Sequence, residues 1–121
     1  MLLCFAVYKC AVSPTGDRLY IIGRYQHMLL TLARDGTLLA TYTDPALGYP
    51  TGLHVTPAGQ VLVCGVSDIV LQVGWEGQSK LATLATQEDG LRSPRSVCYS
   101  STTSSIIVGQ DWNEILVFRV E

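Results

Sequence analysis

VSPTGDRL (12–19) and VTPAGQVL (55–62) are two copies of one pattern, and the spacing between them decides the fold. Val12 matches Val55, Pro14 matches Pro57, Gly16 matches Gly59 and Leu19 matches Leu62, each pair 43 residues apart, while Ser13 and Thr56 agree in type. A third copy aligns without a gap: PTGLHVTPAGQVLVCG (50–65) against PRSVCYSSTTSSIIVG (94–109), at an offset of 44 residues. Pro50 pairs with Pro94, Leu53 with Val97, Leu62 with Ile106, Val63 with Ile107 and Gly65 with Gly109. In that copy the Pro-x-Gly turn has become Ser101-Thr102-Thr103, which keeps small polar turn residues but gives up the glycine that reaches positive φ without cost.

Each unit reads as short strands separated by turns. Residues 6–12 and 53–56 lead into the Pro-x-Gly turn, and 18–22, 61–64 and 105–108 leave it. A third set follows at 28–32, 69–73 and 115–120. Gly36 and Gly77, preceded by Asp35 and Glu76, then turn the chain into a fourth set at 37–42 and 79–84. No long stretch sustains a helical period, so no helix is expected.

Four antiparallel strands in a unit of this length make the blade of a β-propeller. The expected fold class is therefore all-β, a β-propeller fragment of about three four-stranded antiparallel blades filling residues 1–121, with units at about 8–44, 50–87 and 94–121. Gly16 and Gly59 are expected at equivalent hairpin turns, and Leu19, Leu62 and Ile106 at equivalent core positions. Runs such as LYII and VLVC, apolar without alternation, suit strands covered on both faces. The competing arrangement, a two-sheet sandwich, has no need of the repeat.

Composition agrees with a packed domain: 48% of the 121 residues are hydrophobic and 15% charged. The net charge of -2 is spread without runs, which leaves no footprint for nucleic acid or an anionic membrane. The apolar opening MLLCFAV (1–7) is too short for a membrane span and lacks a basic flank and a cleavage site. Cys4, Cys10, Cys64 and Cys98 show no CxxC spacing and lie in or beside apolar runs. They read as reduced thiols of an intracellular, cytoplasmic chain.

The segments GLHVTPAGQVLVCG (52–65) and NEILVF (113–118) resemble NHL repeats, and the similarity extends over about residues 8–121. That resemblance implies part of a six-bladed propeller of the kind found at the carboxyl end of tripartite-motif ubiquitin ligases, where it holds protein or RNA partners. It extends to related propellers of the lactonase type. The family commonly ends its second strand in an Asp that organises the next loop; here Gly65 and Gly109 stand near that point, with Asp68 and Asp111 two or three residues on. The chain contains no RING, B-box or coiled-coil segment, so a ligase role is expected to belong to a longer parent.

Catalysis finds little material. His27 and His54 are the only histidines, and no GxSxG elbow holds a nucleophile. His54 aligns with Ala11 and Cys98 on an inner strand, as a channel-wall or core residue. The lactonase-type alternative, a metal-dependent hydrolase, needs carboxylates converging on a divalent ion, yet only Asp68 and Asp111 recur at one blade position. No catalytic residue, metal or other cofactor is expected.

Binding is better supplied. Propellers gather on one face the loops between blades and those between the second and third strands of each blade. These hold Arg24, Tyr25, Gln26 and His27 in the first unit, Ser67 and Asp68 in the second, and Asp111, Trp112 and Asn113 in the third, with Tyr49, Arg92 and Arg95 between units. Tyr, Trp and Arg carry most interface energy, because each joins contact area to a polar handle. The ligand-binding candidates are therefore Arg24, Tyr25, His27, Tyr49, Asp68, Arg92, Asp111 and Trp112, for a protein partner; RNA is the second partner class, which the net charge does not favour. Trp75 and its counterpart Arg34 lie on the opposite side, where Trp75 is expected to cap a blade edge. Three blades leave an apolar face at each end, and strand 1–7 of one copy could pair with 115–120 of another to close six blades as a homodimer.

Overall fold

The computed structural model describes residues 7–23, 27–65, 67–111 and 114–119, with Val7 described by its backbone alone. The runs between turns form three antiparallel sheets, each ordered as in sequence. Blade 1 is β1 (Val7–Val12), β2 (Arg18–Gly23), β3 (Met28–Ala33) and β4 (Leu38–Thr43). Blade 2 is β5 (Pro50–Val55), β6 (Val61–Gly65), β7 (Ile69–Val73) and β8 (Lys80–Ala85). Blade 3 has β9 (Pro94–Ser100), β10 (Ser105–Gln110) and β11 (Ile115–Arg119) among the described residues. The expected strands are present with their ends moved; β5 and β9 begin at the prolines themselves. Residues 1–6, which the assembly expectation uses, and Val120 lie outside the described residues.

Two short 3-10 turns, Pro45–Leu47 and Gln87–Asp89, differ from the expectation of no helix. Side-chain caps produce them, so apolar periodicity carries no sign of them. Asp44 accepts from the Ala46 N–H at 2.9 Å, and Thr86 and Asp89 form a capping box.

The blades pack face to face, with β1 beside β5 and β5 beside β9. Tyr20, Ile22 and Leu29 of blade 1 meet Val61, Val63, Leu71 and Val73 of blade 2 in one core. On the other face of blade 2, Leu62, Cys64 and Val70 meet Val97, Ile106 and Val108 of blade 3. Strand β6 is thus buried on both faces, as its unbroken apolar run requires, whereas β4 alternates between half-buried and exposed residues. Across the second interface the buried Thr51 hydroxyl donates to the Pro94 carbonyl at 2.5 Å, fastening the inner strands together. Burial pushes the Cys64 thiol up to about 11, so it behaves as a small apolar side chain.

One expected equivalence fails. Val12 pairs with Leu19 and Tyr99 with Ile106, but Val55 pairs with Val61, so the blade 2 hairpin is one residue shorter than the other two. A shift of one residue turns a side chain to the opposite face. Leu19 and Ile106 point towards the preceding side of their blades; Leu62 points the other way, and Val61 is their true equivalent. On β1, β5 and β9 the ungapped alignment holds, and Ala11, His54 and Cys98 share a face. Gly16 and Gly59 occupy the expected turns at φ 77° and 89°; in blade 3 the left-handed position passes to Ser104, at φ 51°.

The two end faces also differ. On blade 3, Ile115 and Val117 are 70% and 63% exposed. On blade 1, Val12 is 53% exposed, but Ile21, Leu30 and Leu32 are buried in a cluster packed by Leu19, Met28 and Leu38.

Blades 1 and 2 also meet where Gly77, at φ 73°, closes on Thr31; a Cβ there would overlap the Thr31 hydroxyl, which has no hydrogen-bond partner. Gly77→Ala is therefore expected to cost more than about 2 kcal/mol, from strain and overlap together. Thr31→Val should gain about 1 kcal/mol by removing an unsatisfied buried hydroxyl. Urea denaturation of the two variants checks both signs.

Candidate functional site

The loops at one end of the strands form a continuous rim. Its first member is the connection from blade 1 to blade 2, residues 44–49. Asp44 starts it, accepting from the Tyr42 hydroxyl at 2.7 Å as well as from Ala46, and these hydrogen bonds hold its carboxyl below the usual carboxylate range. The Tyr42 hydroxyl is pushed up to about 12 by burial and by that carboxylate. The connection ends at Tyr49, 46% exposed and in the left-handed region at φ 46°, immediately before Pro50. Gly65 makes room for it: a Cβ at 65 would stand 2.9 Å from the Gly48 carbonyl oxygen and 3.0 Å from that of Tyr49. His27 lies against Tyr49, with ring centroids 5.5 Å apart and planes tilted by 49°.

The connection from blade 2 to blade 3 repeats this construction. It opens with the capped turn at Gln87–Asp89 and ends at Ser93, φ 46°, immediately before Pro94. Asp68, itself left-handed at φ 59°, accepts from the Ser93 N–H at 2.8 Å, and the Asp111 N–H donates to the Ser93 carbonyl at 3.4 Å. The Gln110 side chain accepts from the Arg92 N–H at 2.6 Å, and the Arg95 guanidinium pairs with Asp111 at 2.8 Å. Of the four left-handed residues other than glycine among the described residues, Tyr49, Asp68 and Ser93 all lie on this rim. A non-glycine residue held there stores roughly 1–3 kcal/mol of strain, which the surrounding contacts must balance.

His27, Tyr49, Asp68, Arg92 and Asp111 thus lie along one rim, while Arg24, Tyr25 and Trp112 lie outside the described residues. Both carboxylates are engaged, Asp68 by a backbone N–H and Asp111 by Arg95, and among the described residues no His, Cys, Asp and Glu side chains cluster to hold a metal ion. Their geometry positions loops. Sequence reading missed Ser93 and Gln110; the signal for Ser93 was its place one residue before Pro94, matching Tyr49 before Pro50. His54 sits half-buried on β5, and burial lowers its imidazole below the ordinary range.

No family model matches the chain, and no curated protein matches it in sequence. Solved structures do. The chain superposes on part of the hydrazine synthase of Kuenenia stuttgartiensis with a TM-score of 0.79 at 20% identity, covering 99% of this chain and 34% of that one. On the RRP9 WD40 repeats the TM-score is 0.82 at 11% identity, over 99% of this chain and 37% of that one. For the virginiamycin B lyase from Staphylococcus aureus it is 0.67 at 13% identity, over 94% and 41%. The chain therefore has the fold of a partial β-propeller of about three blades, and spans between a third and about two fifths of the length of these structures.

Asp68→Ala is expected to cost about 1.5–3 kcal/mol, the usual value of a hydrogen bond to a charged group, and to free the Ser93 loop. Arg95→Ala, which breaks an exposed pair, should leave the thermal midpoint nearly unchanged. The two melting curves, with amide exchange at Ser93, test the distinction.

His54 gives a pH dependence. Burial holds its folded pKa below the ordinary histidine value of about 6.5, so the unfolded chain binds more protons just under that pH. Stability is full above the unfolded pKa and falls as pH drops through the folded one. The thermal midpoint should therefore decrease from about pH 7 to about pH 5, and His54→Gln should flatten that decrease.

Proposed function

We propose that this chain is a non-catalytic binding module that holds a protein partner on the rim bearing His27, Tyr49 and Arg92. The observation that carries this reading is Tyr49: an exposed aromatic ring kept in a strained backbone conformation and set against a second ring. A side chain fixed before contact loses little freedom on binding, so its contact area converts efficiently into affinity. Arg92 is exposed beside it along the rim, and its backbone is held by Gln110.

Charge favours protein over RNA. Among the described residues the rim's arginines, Arg92 and Arg95, are offset by Asp44, Asp68 and Asp111, which leaves no uncompensated basic stripe there to track a phosphate backbone. Among propellers, the NHL type is the reading supported by the two Pro-x-Gly turns and NEILVF, with the chain as the partner-holding part of a ubiquitin-ligase-like parent. The fold alone does not choose between binding and catalysis, since one fold carries many functions. The engagement of Asp68 and Asp111 by protein groups supports binding.

The test uses two opposite readouts. A partner is captured on the immobilised chain, identified by mass spectrometry, purified and titrated against it. Tyr49→Gly should weaken that binary complex by about 2 kcal/mol. The same substitution should leave stability equal or higher by roughly 1 kcal/mol, because glycine relieves the left-handed strain. Unchanged affinity would remove Tyr49 as the anchor. Calcium-dependent ester or lactone turnover that disappears in Asp68→Asn would replace the binding reading with hydrolysis.

A further inference from the structure

On the side opposite the rim, the Pro-x-Gly hairpins and the turns between third and fourth strands build a second exposed site. Gly59 of the blade 2 hairpin lies against Trp75, where a Cβ would stand 3.9 Å from the Trp75 Cβ. Tyr20 of blade 1, fully buried, donates its hydroxyl to the Trp75 carbonyl at 2.6 Å. The Trp75 backbone is thereby fixed across the interface while its side chain remains 50% exposed. The Arg18 guanidinium lies over the indole, 4.4 Å from the ring centroid. Ser13, Pro14, Asp17, Arg18, Pro57 and Trp75 line a cleft of about 210 Å³ between the two blades.

Capping a blade edge explains the fixed carbonyl and leaves the exposed side chains unaccounted for. The Trp75 indole N–H and the Arg18 guanidinium N–H groups donate to no described residue. The floor of the cleft is therefore rich in unspent donors. On its margin Asp17 spends one oxygen, Oδ1, on the Ser13 and Thr15 hydroxyls, and Oδ2 accepts from no described residue. The cleft is smaller than the roughly 300–1,000 Å³ of drug-sized ligand sites, and fits one side chain of a longer segment.

These features select one kind of occupant. A donor-rich aromatic surface suits a backbone that offers carbonyls and no N–H, which is a run of prolines; in the polyproline II form its rings stack on an indole and its carbonyls point outward. The unspent Asp17 oxygen on the margin suits a cation next to that run and opposes an anion. We propose that the cleft between Arg18 and Trp75 binds a proline-rich extended segment of a protein partner, with a basic residue beside the prolines facing Asp17. The cleft shares no residue with the rim, so either site stands or falls without the other.

The test titrates the full chain with a blocked oligoproline peptide ending in arginine, followed through the Trp75 indole N–H resonance, which is assigned by its loss in Trp75→Phe. A saturable shift is expected. Arg18→Gln and Trp75→Ala should each weaken binding roughly ten-fold or more. Arg34→Gln, whose guanidinium is already occupied by the Gly16 carbonyl, should bind like the parent. Replacing the peptide's arginine by glutamate should weaken binding roughly three-fold or more. If Trp75→Ala lowers the thermal midpoint, Arg18→Gln and the peptide exchanges decide. No shift, an unchanged titration in Arg18→Gln, equal binding of an oligoalanine–arginine peptide, or tighter binding of the glutamate peptide would each overturn the proposal.

Discussion

Everything in this molecule depends on sheets that must be apolar on both faces. A lone four-stranded sheet would leave Val61 and Val63 on one side of β6, and Leu62 and Cys64 on the other, in water; packing blades 1 and 3 against it buries all four to 1% exposure or less. Each such aliphatic side chain contributes on the order of 1.5–3 kcal/mol when removed from water. The unit of stability is therefore the interface between blades, and each blade is held by its neighbours. The polar bonds reinforce the same seams: Tyr20 to Trp75 between blades 1 and 2, and Thr51 to Pro94 between blades 2 and 3.

Packing of this kind sends the chemistry to the strand ends. With the faces committed to neighbours, the side chains free to meet another molecule sit on the loops at either end of the strands. The two ends are built differently. The rim is organised by carboxylates and caps that hold Tyr49 and Ser93 in left-handed conformations, so its strain is balanced by Asp68, Gln110 and the space above Gly65. The opposite end is organised by glycine turns and by one aromatic residue whose carbonyl accepts from Tyr20 and whose ring lies under Arg18. The first end yields fixed aromatic and charged groups; the second yields a shallow cleft with unspent donors.

The sequence by itself determined the repeat, the strand content, the hairpin glycines and the shared face of Ala11, His54 and Cys98, because turn chemistry and apolar runs are local properties. It also determined which loops share an end of the strands, since alternating strand direction fixes that. Three things were decided only by tertiary structure. The face of Leu62 depended on a hairpin one residue shorter than its neighbours, and an ungapped alignment through a polar turn does not register that change. The role of Asp68 depended on Ser93, a residue brought within reach only when blade 3 docks on blade 2. The pairing of Arg18 with Trp75 joins residues from different blades across a seam. In the first case one residue of turn length decides, which shows only once the strands pair; in the other two the deciding distance runs between residues far apart in the chain, and residue identity and spacing carry no record of it until the blades pack.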